Sequence, residues 1–343
     1  MAHGERRRRR SAWVAVLATA LLLVGCSGGD QETAKPTKSP SASPSAQPTA
    51  TPAPEVRRWP LTGRRADHPL PKRRAGVVKI ENTGNSEPQV GLGAADLVVQ
   101  QLVEGGLTRL AVFYHSRVPS DVGPVRSLRT SDIGIVKPAD ALLVASGGAR
   151  RALRRMESAR VRLVTGGDAY HRVDGRPAPY NLFVRLSRLV KARAKGAAPE
   201  PYLPWGDART LGTGKPAGRI VAQYSRGTVN SWTYRGHTYR RSIDHATGRD
   251  DFRVDTVLSL RVAVTDAGYR DPAGNAVPET ILSGKGAATL FHHGRAYDGR
   301  WYKRSPGAPL RLATTTGRPL RVPPGNTWIE LVPASGGDLR YGR

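Results

Sequence analysis

From residue 74 onward the chain is a succession of short apolar runs rich in β-branched residues, broken by turn residues. RAGVVKIEN (74–82), AADLVVQQLVE (94–104) and TRLAVFYHS (108–116) carry Val, Ile and aromatic side chains between Gly, Asn and Asp, the pattern of strands. ALLVASGG (141–148) and VRLVTGG (161–167) read the same way. Helical spacing interrupts them. PVRSLRTSDIGIV (124–136) predicts a helix with Pro124 in its first turn. ARRALRRMESA (149–159) places Leu153 and Met156 three apart on one face, and NLFVRLSRLVKARAKG (181–196) repeats Leu182, Leu186, Leu189 and Val190 at helical intervals. Alternation of this kind predicts an α/β N-terminal domain, a mixed sheet with helices, over residues 57–197.

The pattern then changes. Residues 198–218 are rich in Gly and Pro and read as an inter-domain passage. Beyond them RIVAQYS, SWTYRGHTYRRSI, DTVLSLRVAVTDAGY, ATLFHHGRAYDGRWYKRS, PLRVPP and TWIELVP are almost all strand, with turns at Asp271-Pro272-Ala273-Gly274 and Asp298-Gly299. A smaller, mainly antiparallel β C-terminal domain over 219–343 is expected. Two domains also suit the chain length, which exceeds what most single cores hold.

The amino terminus follows a different logic. MAHGERRRRR is cationic and SAWVAVLATALLLVG is an apolar core of secretory length, too short to span a bilayer comfortably. It ends in Leu23-Val24-Gly25-Cys26, which resembles the lipobox of bacterial lipoproteins. Residues 1–25 are therefore read as a lipoprotein signal peptide and Cys26 as the lipidated residue that anchors the protein to the outer face of the plasma membrane. Export by the general or the twin-arginine route is left open by the five-arginine run. Cys26 is the single cysteine, so disulfides, a cysteine nucleophile in the folded part and thiolate zinc sites are excluded. Residues 26–56, dominated by Pro, Ser, Thr and Ala, read as a disordered tether reaching roughly 30 Å.

Charge adds a clue about partners. The formal charge of +27 divides into +4 for the signal region, −1 for the tether and +24 for residues 56–343. Inside a cell this would point to nucleic acid. On an exported, anchored chain it points to lipid head groups or anionic wall polymers, and no nucleic-acid partner is expected. Only 10 of the 54 basic residues are lysine, so part of the arginine excess reads as GC-rich codon usage on solvated faces.

The densest chemistry lies in GPVRSLR (123–129). At the start of a helix, Arg126 and Arg129 would share a face, with free amides, Ser127 and Thr130 beside them and Arg109 near, a set that suits an anion. The alternative is internal, with the arginines paired to Glu104, Asp121 or Asp132. In VEGGLTR (103–109) the diglycine predicts a tight turn of positive φ, and Glu104 with Glu81 forms the acid pair to test for glycosyl chemistry. His68, His115, His171, His237, His245, His292 and His293 are scattered, and a strand would send His292 and His293 to opposite faces, so neither metal nor cofactor is expected. His115-Ser116 could act as base and nucleophile only if a third group assembled around them. Trp301 and Trp328 read as core or domain-interface residues.

KIENTGNSEPQVGLGAADLV, VEGGLTRLAVF, DVGPVRSLR, GRAYDGRWYKRS and PPGNTWIELVP, in that order, resemble the YerB-like lipoproteins of Gram-positive bacteria. The resemblance spans nearly all of residues 60–335. It implies a larger N-terminal and a smaller C-terminal domain on a surface-anchored protein of unknown function, with no catalytic residues to carry over. Some relatives are described as transcriptional regulators, which fits poorly with a lipid anchor. The family pattern has acidic residues before VEGG where this chain has Gln100 and Gln101, which leaves Glu104 more isolated. The leading expectation is a binding or assembly-supporting lipoprotein that recognises an anionic envelope component or partner. The alternative is a wall-glycan hydrolase using Glu104 or Glu81.

Overall fold

A computed structural model describes residues 56–343. The segments expected as signal peptide and tether, with Cys26, lie outside the described residues up to residue 55. The described residues belong to one compact unit. In its first half are β1 (Gly76–Glu81), β2 (Leu97–Leu102), β3 (Thr108–Tyr114), α1 (Asp132–Val136), β4 (Leu142–Val144), α2 (Arg150–Ser158), β5 (Arg162–Val164) and α3 (Leu186–Arg193). In the second half are β6 (Thr256–Arg270), β7 (Gly284–His292), β8 (Arg295–Lys303), β9 (Arg311–Thr314) and β10 (Thr327–Pro333). The N-terminal part is a mixed sheet with few helices, and the C-terminal part is mainly antiparallel.

These strands form one continuous sheet in the order β9-β8-β7-β6-β10-β2-β3-β1-β4-β5. The two halves meet where β10 lies parallel to β2, Thr327 opposite Leu97 and Leu331 opposite Gln101. Central strands buried on both faces favour apolar sequence, and GVVKIE, LVVQQL and TWIELVP are mainly apolar, with their polar members Lys79, Glu81, Gln100, Gln101 and Glu330 buried too. Alternate residues feed two cores. Val77, Leu97, Val99, Ala111 and Phe113 pack on one side, and Val78, Val98, Leu110 and Val112 on the other. Residues 198–218 contribute to the first side through buried Tyr202 and Leu203, and the Tyr202 hydroxyl donates to the Ile135 carbonyl.

A four-stranded sheet (Thr238–Arg241, Val229–Arg235, Arg219–Gln223, Asp338–Gly342) is tied to the large one through a buried carboxylate. Glu330 on β10 accepts hydrogen bonds from the Tyr224 hydroxyl, the Asn230 amide and the Trp232 indole. Gln100 joins this network, accepting from Asn230 and from the Trp328 indole. Trp301 and Trp328 are buried. Burial raises the Glu330 carboxyl, and the three donors only partly oppose it. The folded form therefore holds this proton to higher pH than the unfolded chain does. Stability falls as pH rises above the unfolded value and levels off above the folded one. Replacing Glu330 with Gln, whose carbonyl still serves Asn230 and Trp232, is expected to remove that fall. Urea midpoints from pH 4 to 8 check this, and a variant profile parallel to wild type would refute it.

Four expectations are corrected. The helix expected over 124–136 exists only from Asp132 to Val136, because residues 124–128 are extended. The helix expected over 181–196 begins at Leu186, since Leu182–Arg185 pairs as a strand with Tyr170–Arg172. Asp298-Gly299 lies within β8, and the turn sits at His293-Gly294. His293 has φ 48°, so it leaves the strand, and its ring stacks on His292 at 4.1 Å instead of facing away.

Candidate functional site

Strands β1, β2, β4, β5 and β10 all run the same way, so their carboxyl ends share one edge of the sheet. Ligands of such sheets bind where neighbouring parallel strands part. Here the chain fills that place itself. The Glu81 amide donates to the Pro124 carbonyl and the Arg126 amide to Lys79, which ties residues 124–126 to β1. On the other flank the Ser146 amide donates to Arg126 and the Leu128 amide to Gly147, which ties the segment to the exit of β4. A segment bonded on both sides must be extended. This is why the predicted helix start fails, and with it the expected set of free amides. The Val125 and Arg129 amides are committed too, to the Leu182 carbonyl and the Asp132 carboxylate.

The wedge delivers charged side chains to the edge. Arg129 makes a two-pronged contact with Glu104, its Nε 2.7 Å from Oε2. Arg126 places Nε 2.5 Å from Glu81 Oε2 and its guanidinium over the Tyr180 ring. Arg109, opposite both Glu81 and Gln101 in the ladder, lies between the acids. Its Nη2 is 3.9 Å from Glu81 and 3.6 Å from Glu104, too far for hydrogen bonds. Among the described residues its one side-chain hydrogen bond runs from Nη1 to the Ser127 carbonyl, and its buried Nε has no acceptor. Burial, followed by the charge of Arg129, lowers Arg109 to about 10 despite both glutamates. Beneath them Lys79 and Asp132 form a fully buried pair at 2.7 Å, and the Gln101 amide also donates to Asp132.

Thus Arg109, Arg126, Arg129, Glu104 and Glu81 meet in one cluster. Ser127 is half-buried at its margin, 3.4 Å from the Ser146 hydroxyl, and Thr130 is buried behind it near Tyr269. Of the internal partners foreseen for the arginines, Glu104 takes the Arg129 side chain and Asp132 its amide. Lys79 and Gln101 were not foreseen as members. The signal for Lys79 was its place among the apolar residues of a central strand, where a lysine demands a buried partner. Burial pushes the Glu104 carboxyl up, but Arg129 and then Arg109 outweigh it and hold it below the ordinary carboxylate range. Glu81 and Glu104 approach one Arg109 nitrogen within 4 Å each, so those oxygens lie less than about 8 Å apart.

His115 and Ser116 assemble no catalytic triad among the described residues. The Ser116 hydroxyl and both backbone amides serve Asp96, while the imidazole Nε2 faces the Arg73 carbonyl. The same residues hold no cluster of three metal-ligating side chains.

Two halves joined in one sheet, with VEGG and GPVRSLR meeting at its edge, match a known architecture. Residues 61–199 match the N-terminal domain, and residues 220–329 the C-terminal domain, of the family described as "Protein of unknown function (DUF3048)". The chain belongs to the DUF3048 family. It is 26% identical over 290 residues to the YerB lipoprotein of Bacillus subtilis (strain 168), covering 80% of this chain and 86% of that one. The crystal structure of YerB from Bacillus subtilis shares the fold, with a TM-score of 0.69 at 24% identity, over 82% of this chain and 99% of the other. The DUF3048 boundaries leave residues 200–219 between the two matches.

Proposed function

We propose that this DUF3048 protein is a lipid-anchored binding protein of the outer membrane face, tethered through Cys26, whose charged edge recognises an anionic envelope component. The observation that carries the reading is Arg109, a buried guanidinium that among the described residues has one hydrogen bond and an Nε without an acceptor. A buried donor left unmet is costly, and an anion entering beside Arg126 would meet it. Arg126 is the route in, because its side chain keeps 21% of its exposure while Arg129 keeps only 9%. Arg129 and Glu104 hold the edge in shape. The hydrolase alternative has the carboxyl separation in its favour. It lacks a proton donor at Glu104, which its arginine partners hold ionised.

Sedimentation with purified Gram-positive cell walls tests the reading. Wild type is expected to bind, less so as salt is raised. Arg126→Gln is expected to weaken binding roughly tenfold, the loss of one charge-assisted hydrogen bond. Equal, salt-independent binding by both proteins would reject the assigned edge.

A further inference from the structure

A cavity in the C-terminal half shares no lining residue with the charged edge. It measures about 590 Å³ and is lined by Lys303 and Arg304 at the end of β8, Arg311 on β9 and Arg321 on the following return. No aspartate or glutamate lines it. Two other cavities mix their signs. The one of about 450 Å³ sets Asp207 and Asp255 beside Arg58 and Arg64, and the one of about 400 Å³ sets Asp121 and Asp250 beside Arg117 and Arg249. A concave site lined by four cations concentrates positive potential that the protein does not offset.

Lys303 makes the feature more than a solvated patch. Its residue is only 5% exposed, yet among the described residues its ammonium reaches no carboxylate. It donates to the carbonyls of Ser305, at 3.1 Å, and Pro306. Burial lowers it to about 8. A buried ammonium held by carbonyls alone carries a desolvation cost that an incoming anion would offset. The remaining walls are apolar and aromatic. Leu312 is buried at the base, and Tyr302, opposite Arg311 in the ladder, keeps 38% of its exposure. Cations around one void with an apolar and aromatic flank suit a multiply charged head carrying an organic body, and the volume falls in the usual range for small ligands. Arginine's planar fork favours phosphate oxygens in such a setting.

We propose that this cavity binds a phosphate ester, its phosphate held by Arg311, Arg321 and Lys303 and its organic part against Tyr302 and Leu312. This site is separate from the charged edge and does not depend on it. Calorimetry with glycerol 3-phosphate on the full-length protein in nonionic detergent provides the test, with phosphatidylglycerol and phosphatidylcholine vesicles as a second arm. Saturable binding is expected for wild type and unchanged for Arg126→Gln. Arg311→Ala with Arg321→Ala, both exposed positions that leave the core intact, is expected to lower affinity by roughly ten- to a hundredfold. Binding confined to phosphatidylglycerol vesicles, and lost in the same double variant, would assign the phosphate to a lipid head group. No binding in either arm, or equal binding by wild type and the double variant, would overturn the proposal.

Discussion

Asp132→Ala is expected to destabilise the folded body by about 3–5 kcal/mol, the cost of stranding one partner of a buried ion pair. Lys79 and Asp132 have no exposed side-chain surface, and among the described residues no other carboxylate lies within ion-pair distance of the lysine. Burial already lowers the Lys79 pKa, opposed chiefly by Asp132. Without that support the amine would lose its proton or remain charged without a partner. The Gln101 amide and the Arg129 backbone N–H would lose their acceptor in the same step. Since domains hold only about 5–15 kcal/mol in total, the variant should sit near the threshold of folding. The double variant Lys79→Met with Asp132→Leu is expected to recover much of the loss, because a packed apolar pair need not be desolvated against its charge. Urea unfolding of both variants measures this. A loss under about 1 kcal/mol for Asp132→Ala would show that the pair contributes little.

The second large effect is a loss of stability in mild acid traceable to His115. The imidazole is buried against the Arg73 carbonyl with its Nδ1 unpartnered, and burial lowers its pKa to about 4. In the unfolded chain it takes a proton near pH 6.5. The folded form stays neutral through this interval while the unfolded form gains a proton. Stability is therefore full above about 6.5 and lost as pH falls towards 4, by about 2–3 kcal/mol for this one group. Burial raises the carboxyls of Asp96 and Glu330, and these pull the other way. The clean readout is thus a difference. The stability of His115→Gln relative to wild type should improve by about 2–3 kcal/mol between pH 7 and pH 4. A constant difference across that range would remove His115 from the acid response.

The strands were legible because period-two and fully apolar runs have few other uses. GVVKIE, LVVQQL and TWIELVP appear close to where their sequence places them. The diglycine of VEGG also behaves as its composition demands, with φ of 68° and 71° at Gly105 and Gly106. PVRSLR misled for a definite reason. Arg, Ser and Leu permit helix, and nothing local announces that this backbone is needed to fill the gap between β1 and β4. Those hydrogen bonds join residues from three separate parts of the chain, and propensity cannot register them. The arginine pair was recognisable as important, and Glu104 stood among its possible partners. Which acid each arginine met depended on ladder register, with Arg109 placed opposite Glu81 and Gln101. Lys303 escaped notice because a lysine at a strand end looks solvated until the chain that follows folds over it.

The parallel pairing of β10 with β2 has a temporal consequence. A ribosome delivers the amino-terminal half first, yet one flank of Leu97–Leu102 finds its neighbour only when Thr327–Pro333 appears, near the end of a 343-residue chain. Until then one side of LVVQQL lacks its neighbour in the middle of what will become the sheet. The two halves therefore join through a pairing of long sequence separation, the kind of contact that slows folding.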